Sequence, residues 1–283
     1  MILFKEIVTL AKHLTQLKQQ GLSVGFVPTM GALHGGHISL IEKSKNTCDI
    51  TVSSIFVNPT QFNNVKDFEK YPITVSNDIL LLEKSGCDVL FMPRVNEIYP
   101  DGFSSKYHYD LGEIEFVLEG KYRPGHFQGV CQVVHRLLNI VQPDKLFMGQ
   151  KDYQQCLIVK RLVESLHLNV QVVTAGTYRE ASGLAMSSRN LRLNEQEKEI
   201  ASGISKMLRY IKERFTTTPF SVLEDYATNL LLTSGFTKVD YVSIADADTL
   251  QPASIVKGKN NLVTLIAAYI NDVRLIDNME LGN

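Results

Sequence analysis

The residues best suited to chemistry are concentrated in one short segment, residues 28–37, with the sequence P-T-M-G-A-L-H-G-G-H. It lies between a predicted strand and a predicted helix. Its three glycines allow the backbone to approach a ligand closely. The helix start offers free N–H groups and a positive dipole end to an anion, and both imidazoles could donate to phosphate oxygens. The segment therefore predicts a phosphate-binding turn.

Two other interpretations of this turn remain open. The turn could be a glycine-rich connection with two incidental histidines. It could also be an H-x-x-H metal pair, but Gly35 stands directly after His34, where a zincin has glutamate. No G-K-[ST] follows, so the segment is not a P-loop. We prefer the phosphate-binding interpretation.

Two amide side chains, Asn58 and Gln61, follow the predicted strand 50–57. Pro59 cannot continue a central strand, so the chain must turn here. Ligands of parallel sheets bind at the carboxyl ends of the strands. These amides are therefore candidate substrate ligands, although a solvated turn is an equally good interpretation.

A second polar group follows the predicted strand 145–148, where the sequence is G-Q-K-D-Y-Q-Q. Lys151 can reach a phosphate from a strand-to-helix turn. Asp152 either caps the next helix or accepts from a ribose hydroxyl. Gln155 lies one helical turn further on.

Two cationic segments complete the set of candidates. Arg123, in the run 120–126, stands at a predicted helix start, where the dipole disfavours cations, and this conflict makes it a candidate anion ligand. Arg189, in M-S-S-R-N, has two hydroxyls beside it, and the segment could clamp phosphate. A solvated loop and a polar linker are the respective alternatives.

The elements that must position these residues alternate between strands and helices through the first half of the chain. Strands are predicted at 22–27 (ended by Pro28), 50–57, 88–92, 145–148 and 170–173, and helices at 36–48, 76–85 (capped by Ser76), 126–141 and 152–166. This alternation predicts an α/β fold, with a Rossmann-like parallel sheet covered by helices on both faces.

The character of the sequence changes near residues 176–183. A long helix is predicted at 194–214 with Asn194 as its cap, then a helix at 221–232 and strands at 239–244 and 262–269. We therefore predict two domains. Residues 1–176 form a Rossmann-like domain that binds nucleotide and a second substrate, and residues 177–283 form a smaller C-terminal α+β lid domain.

The bulk composition excludes several classes of protein. Of 283 residues, 44% are hydrophobic and 21% charged, with a net charge of -1, so nucleic acid is not an expected partner. No apolar run is long enough to span a membrane, and no signal peptide is visible. The four cysteines lack the spacing of a zinc site, and we expect scattered thiols in a cytoplasmic protein.

Five segments, in this order, resemble the pantothenate synthetase family: the strand-end H-x-G-H turn, F-V-N-P-x-Q-F, R-P-G-H-F-x-G-V, K-D-[YF]-Q-Q and A-M-S-S-R-N. The resemblance runs from the first strand to the end of the chain. The H-x-G-H turn alone would indicate only the nucleotidyltransferase superfamily, which includes the class I aminoacyl-tRNA synthetases.

The resemblance implies a two-step ligase reaction. ATP and pantoate give an enzyme-bound pantoyl adenylate and pyrophosphate, and the amine of β-alanine then attacks the acyl carbon to give pantothenate and AMP. It implies Mg²⁺ bound with the ATP phosphates and no metal held by the protein itself, although Asp78 is a candidate group near the ion. The partners it implies are these small molecules and a second copy of the chain.

The resemblance also implies roles for the candidate residues. His34, His37, Lys151 and Arg189 would be catalytic, with His37 in the acid role. Glutamines at Gln61 and Gln155 would hold pantoate, and we add Asn58 and Arg123 to that substrate set. The predicted ATP site consists of Met30, Gly31, Ala32, Leu33, His34, Gly35, Gly36, His37, Gly149, Gln150, Lys151, Asp152, Tyr178, Met186, Ser187, Ser188 and Arg189.

Three positions depart from the family pattern. Gly35 and Gln150 stand where the family commonly has glutamate, and Tyr178 stands where it has a small aliphatic residue. Losing the acids changes the surroundings of the histidines but removes no phosphate donor. Two other functions remain as alternatives: another carboxylate-adenylating or nucleotidyl-transferring H-x-G-H enzyme, and a non-catalytic ATP sensor.

Overall fold

The structure is a computed structural model, and it describes residues 1–104, 107–253 and 261–282. The chain divides into two compact units. The first unit contains Met1–Gly112, Arg123–Gly149 and Gln155–Gly176. The second contains Glu113–Tyr122, Gln150–Gln154 and the chain from Thr177 onwards. Domains of 1–176 and 177–283 stay a prediction, and two short segments of the predicted first domain group with the second unit.

The first unit is built on a six-stranded, entirely parallel sheet in the order β1-β4-β3-β2-β5-β6. Its strands are β1 (Ile2–Phe4), β2 (Val24–Thr29), β3 (Ile50–Ile55), β4 (Val89–Phe91), β5 (Lys145–Gly149) and β6 (Gln171–Ala175). From β2 the chain moves to β3 and β4 on one side, and then returns to β5 on the other. The order therefore reverses between β2 and β5, and in open α/β sheets a ligand binds at such a reversal.

The helices of both units, in chain order, are α1 (Ile7–Gln19), α2 (Gly35–Lys45), α3 (Val65–Glu69), α4 (Val75–Lys84), α5 (Val95–Ile98), α6 (Leu118–Tyr122), α7 (His126–Val141), α8 (Tyr153–Ser165), α9 (Glu195–Ala201), α10 (Gly203–Arg214) and α11 (Phe220–Thr233). The predicted helix at 126–141 is confirmed at both ends. None of the helices in the described ranges is long and apolar enough to cross a membrane.

Burial explains why β3 could be recognised from its sequence. The strand is buried along nearly its whole length, and even Thr51, Ser53 and Ser54 have no exposed surface. Val27, Ile41 and Phe147 pack in the same core cluster of the first unit. A strand buried on both faces needs continuous apolar or β-branched residues, which is the pattern that predicted it.

The second unit contains a three-stranded antiparallel sheet, β7 (Lys238–Asp246), β8 (Leu262–Ile270) and β9 (Val273–Glu280), in that order. Side chains from α10 and α11, such as Leu208 and Ala227, pack with Ile266 of the sheet in one core cluster. This arrangement and the parallel sheet of the first unit confirm the predicted fold class.

Three local predictions were wrong. The strand β2 does not end before Pro28, because this residue pairs with Ser54 of β3. Pairing of β2 with β5 stops at Phe26. The missing N–H of Pro28 therefore removes no hydrogen bond between β2 and β5. Ser76 does not cap α4, which begins at Val75.

The helix predicted at 194–214 is two helices, interrupted at Ser202. That residue is fully buried, and its hydroxyl donates to the Glu199 carbonyl at 2.7 Å. Asn194 does cap α9, because its Oδ1 accepts from Glu197 N–H and the Glu197 carboxylate accepts in return.

Candidate active site

The turn after β2 is held in place by a buried aspartate, Asp78. Gly31 and Ala32 have φ of +81° and +49°, so the backbone passes through the left-handed region at two successive residues. The N–H groups of Ala32 and Leu33 donate to the two carboxylate oxygens of Asp78, at 3.0 and 2.8 Å. Asp78 is 1% exposed and also accepts from Thr74. The carboxylate therefore shapes the turn, and these two N–H groups are already engaged within the protein.

The two histidines cap the helix that follows. The helix α2 begins at Gly35, with His34 as its N-cap. His34 Nδ1 accepts from the Gly36 N–H at 3.2 Å, and His37 Nδ1 accepts from the His34 N–H at 3.3 Å. Imidazole nitrogens therefore accept from the N–H groups of His34 and Gly36, and binding of phosphate at this helix start stays a prediction.

The same cap fixes the tautomer of both rings. An imidazole nitrogen that accepts a hydrogen bond carries no proton, so a neutral ring must carry its proton on the other nitrogen. His34 and His37 are therefore Nε2–H tautomers, with ring centroids 4.1 Å apart. Two N–H donors are thus presented side by side at the carboxyl end of a central strand, which suits binding to anionic oxygen.

The amide of Gln61 is fixed by its neighbours in the first unit. Its Nε2 donates to Met30 Sδ at 2.9 Å, and its Oε1 accepts from Asn58 Nδ2 at 3.2 Å. Asn58 is 1% exposed, and its Oδ1 accepts from the Tyr99 hydroxyl at 2.7 Å. Burial raises the pKa of Tyr99, partly offset by its hydrogen bonds to Thr60 and Asn58, so this hydroxyl remains a donor.

The side chain of Asn58 therefore forms hydrogen bonds with other protein groups in this structure. Its amide also donates to the Gly129 carbonyl, and its Oδ1 accepts from Thr60. This network holds Gln61 in one orientation. Direct binding of substrate by Asn58 stays a prediction.

A glycine lets α7 approach the turn at Pro59–Gln61, a 3-10 helix. A Cβ at Gly129 would overlap the main chain of Thr60. At the start of α7, His126 Nδ1 lies 2.8 Å from the Gln61 carbonyl, and Arg123 Nη2 donates to the same oxygen at 3.4 Å. The second glycine of R-P-G-H-F-x-G-V is thus needed for close approach, and Arg123 lies next to a candidate pantoate ligand.

The segment after β5 forms a 3-10 turn, Gln150–Asp152, before α8 begins at Tyr153. Lys151 Nζ lies 4.0 Å from Asp152 Oδ1. The helix therefore begins one residue later than predicted, and Asp152 belongs to the turn.

Two adjacent glutamines at the start of α8 have different surroundings. Gln154 is 2% exposed, accepts from the Glu119 N–H and donates to two carbonyls of the same unit. Gln155 is only partly buried. The structure thus separates a glutamine that supports the fold from the one predicted to bind pantoate.

The segment containing Met186–Arg189 is ordered by its own hydrogen bonds. Ser187 Oγ accepts from the Arg189 N–H at 3.3 Å, and the Asn190 amide donates to the Ala185 carbonyl at 3.1 Å. The Tyr178 carbonyl accepts from the Met186 N–H at 2.9 Å, whereas 49% of Tyr178 is exposed. The segment is therefore a folded loop in which the unusual tyrosine side chain reaches the surface.

The predicted residues are shared between the two units. The first unit brings together the turn after β2 with Gln61, Asn58 and Arg123, and it also contains Gly149 and Gln155. The second unit contains Gln150, Lys151, Asp152, Tyr178, Met186, Ser187, Ser188 and Arg189.

The described residues include no group of three or more His, Cys, Asp or Glu side chains that could hold a metal ion. Asp78, the candidate group near Mg²⁺, has both oxygens engaged by main-chain N–H groups. Asp78 therefore holds the turn, and its place near Mg²⁺ stays a prediction.

A cavity of about 800 Å³ lies beside the Pro59–Gln61 turn, among Thr60, Phe103, Gln128 and Gln132. None of the predicted site residues lines it. Sequence reasoning missed this cavity, although Thr60 and Gln128 lie within two of the family motifs, because a motif does not show which of its residues face a common space.

A parallel sheet with an H-x-G-H turn at its order reversal, and amide and cationic side chains after its strands, defines a nucleotide-binding enzyme of the H-x-G-H class. The family model described as "Pantoate-beta-alanine ligase" matches residues 2–280. The chain belongs to the pantoate–β-alanine ligase family.

Curated relatives and solved structures agree with this assignment. The chain is 44% identical over 281 residues to "Pantothenate synthetase" of Cytophaga hutchinsonii, covering 99% of both chains. It matches the crystal structure of pantothenate synthetase from Thermus thermophilus with a TM-score of 0.92, 36% identity and full coverage of both chains. It also matches pantoate–β-alanine ligase from Francisella tularensis, complexed with β-γ ATP and β-alanine, with a TM-score of 0.84 and 40% identity over 99% of this chain and 98% of that one.

Proposed function

We propose that this protein condenses pantoate with β-alanine in an ATP-dependent reaction that yields pantothenate, AMP and pyrophosphate through an enzyme-bound pantoyl adenylate. The observation that carries the proposal is the family match over residues 2–280. The capped histidine pair at the end of β2 supports it, because two N–H donors there suit an adenylation site.

In the first step, a carboxylate oxygen of pantoate attacks the α-phosphorus of ATP. The bond between this phosphorus and the β-phosphate oxygen breaks, and pyrophosphate leaves. We assign Gln61 and Gln155 to hold pantoate. Neutral amides suit this task because a buried cation paired with the carboxylate would lower its nucleophilicity.

Negative charge develops on the phosphate oxygens and on the leaving pyrophosphate. We assign Nε2–H of His34 and His37, with Lys151 and Arg189, to stabilise it. Preorganised donors of this kind each contribute about 10²–10³-fold to the rate in other enzymes. Ser187, Ser188 and the rest of the predicted ATP set would bind the nucleotide.

In the second step, the amine of β-alanine attacks the acyl carbon of the adenylate. The bond from that carbon to the bridging oxygen breaks, AMP leaves, and the amine loses a proton as the amide forms. No covalent bond to the protein is needed, so orientation of the reactants and exclusion of water account for the protein's part.

Mg²⁺ would accompany ATP and neutralise charge on its phosphates. We assign no step to the ion.

We further propose a cytoplasmic homodimer that has no nucleic acid or membrane partner. The net charge of -1 supports the absence of a nucleic-acid partner. We also propose that residues 1–176 bind nucleotide and pantoate and that residues 177–283 act as a lid.

Exchange of labelled pyrophosphate into ATP tests the proposal, because only a reversible adenylation incorporates the label. Exchange should require pantoate and should not require β-alanine. Exchange with another acid but not with pantoate would assign a different substrate. No exchange with any acid would leave a protein that binds ATP without adenylating anything.

A further inference from the structure

A buried asparagine on the last strand contacts the turn that carries Lys151. Asn278 of β9 is 3% exposed. Its Nδ2 donates to the carbonyls of Gln150 and Lys151, each at 2.9 Å. One side chain thus fixes two successive peptide groups of the Gln150–Asp152 turn, and all of these residues lie in the second unit.

The orientation of this amide is determined by its partners. Both partners are carbonyl oxygens, so the amide must present its NH₂ group to them, and a flipped amide would place oxygen against oxygen. Oδ1 of Asn278 is buried without a hydrogen-bond partner in the described part of the chain. A buried acceptor left unpaired costs about 1–3 kcal/mol, so the side chain serves here as a donor.

The backbone of Asn278 is itself fixed by a neighbouring ion pair. Asp277 is 4% exposed and forms two hydrogen bonds with the Arg179 guanidinium, at 2.6 and 3.0 Å. Asp277 Oδ1 also accepts from the Asn278 N–H at 2.8 Å, and Arg179 donates to the Asn278 carbonyl at 3.4 Å. The N–H and the carbonyl of Asn278 are therefore both held by this pair.

The same ion pair is connected to the loop of the second unit that precedes Arg189. Arg179 directly follows Tyr178 and donates to the Gly183 carbonyl at 3.1 Å. It also forms a β-bridge with Ala185. The pair thus fixes Asn278 and the start of the predicted ATP-binding loop within one hydrogen-bonded network.

We propose that Asn278 is a positioning residue for the adenylation step, and that it acts by fixing the main chain from which Lys151 reaches the triphosphate. The inference rests on the proposed role of Lys151. Asn278 need not touch a substrate, because its effect passes through the two carbonyls of the turn.

The test is a double-mutant cycle read by pantoate-dependent pyrophosphate exchange. Asn278→Asp keeps the shape of the side chain but replaces the two donors by an oxygen that repels the carbonyls. A misplacement of about 1 Å can cost about 10²-fold in rate, and we expect a loss of this size in kcat with a much smaller change in KM for pantoate. In a Lys151→Ala background, the same substitution should have little further effect, because the residue it positions is absent.

Asn271→Asp is the matched control. Asn271 Nδ2 donates to the Glu197 carboxylate at 2.7 Å on the surface of the same unit, and neither residue belongs to the predicted site. This control should keep normal exchange. If Asn278→Asp does not fold, as judged by its thermal melt, Asn278→Ala removes the donors without adding charge and is carried through the same cycle.

An equal loss from the Asn278 substitution in both backgrounds would overturn the inference while leaving the role of Lys151 intact. Full activity of Lys151→Ala alone would overturn both. A loss that occurs only when Lys151 is present supports the positioning role.

Discussion

The two imidazoles after β2 each use one nitrogen for the fold and carry a proton on the other. Nδ1 of each ring completes the cap of α2, so the proton of each neutral ring lies on Nε2. A residue at this position must therefore supply an acceptor on one side and a donor on the other. Histidine combines the two at a fixed separation.

Two substitutions of His37 separate these tasks. His37→Asn retains an acceptor near Nδ1 and loses the distal donor. It should fold with a normal thermal midpoint and lose about 10²–10³-fold in pyrophosphate exchange. His37→Gln supplies an oxygen that can accept from the His34 N–H, as glutamine does at this position of a capping box, and it also has an NH₂ donor further along the side chain, so it should melt normally and keep more activity than the Asn variant.

The control for this pair is His167→Asn, a change at a surface turn after α8. It should leave both the melting midpoint and the exchange rate unchanged. Near-normal exchange by His37→Asn would refute the proposed donor role. His37→Ala removes both ring nitrogens, so it should abolish adenylation while its circular dichroism spectrum remains normal.

At the scale of elements, close packing positions the candidate pantoate ligand. The helix α7 approaches the Pro59–Gln61 turn through Gly129, and the amide network around Asn58 fixes Gln61 at that contact. The geometry of Gln61 therefore depends on a residue that has no side chain.

Gly129→Ala tests this dependence. The added methyl group would overlap the Thr60 main chain, so α7 or the turn must move. Overpacking of this kind costs about 1–3 kcal/mol in unfolding free energy, and we expect an increase in KM for pantoate. Denaturant unfolding and exchange kinetics measure the two effects.

Gly203→Ala is the comparison, since it places the same methyl group in the helix α10. There the nearest atom, on the Phe236 ring, would lie 3.4 Å away, which is ordinary contact. This variant should be at least as stable as the unaltered protein, because alanine favours helix over glycine by about 1 kcal/mol.

An unchanged KM for pantoate in Gly129→Ala would show that Gln61 does not depend on the contact between α7 and the Pro59–Gln61 turn.

Hydrophobic periodicity and the positions of glycine and proline predicted most of the central elements. The helix α7 was predicted at both ends because its apolar face is continuous and Gly125 precedes it. The strand β9 was not predicted, because its sequence contains Arg274, Asp277 and Asn278, which are residue types typical of the surface. Asp277 and Asn278 are buried and Arg274 is partly buried, each with a partner distant in sequence, and such partners cannot be inferred from local pattern.

The same reason limited prediction of the site. His34 and His37 could be selected because glycines, imidazoles and a helix start are adjacent in sequence. That Asp78 organises the turn could not be predicted, because its contacts with Ala32 and Leu33 span more than 40 residues. The supporting role of Asn278 depends on a contact across more than 120 residues, which no local signal indicates.

At the scale of the whole molecule, the family match spans the chain from residue 2 to residue 280, so both units belong to one enzyme architecture. The candidate histidines and glutamines lie in the first unit, whereas Lys151 and Arg189 lie in the second. Because the predicted catalytic residues are divided between the two units, a fragment containing either unit alone should not support exchange.

The central claim is that pantoate is activated as an acyl adenylate. Pantoate labelled with ¹⁸O in both carboxylate oxygens tests it most directly, because the attacking oxygen becomes the bridge between carbon and phosphorus. When the amine of β-alanine attacks the acyl carbon, that oxygen leaves with AMP. Mass spectrometry should therefore find one ¹⁸O in the phosphate of AMP for each pantothenate formed, and the other in the amide carbonyl. Pantothenate formed together with unlabelled AMP would contradict the account.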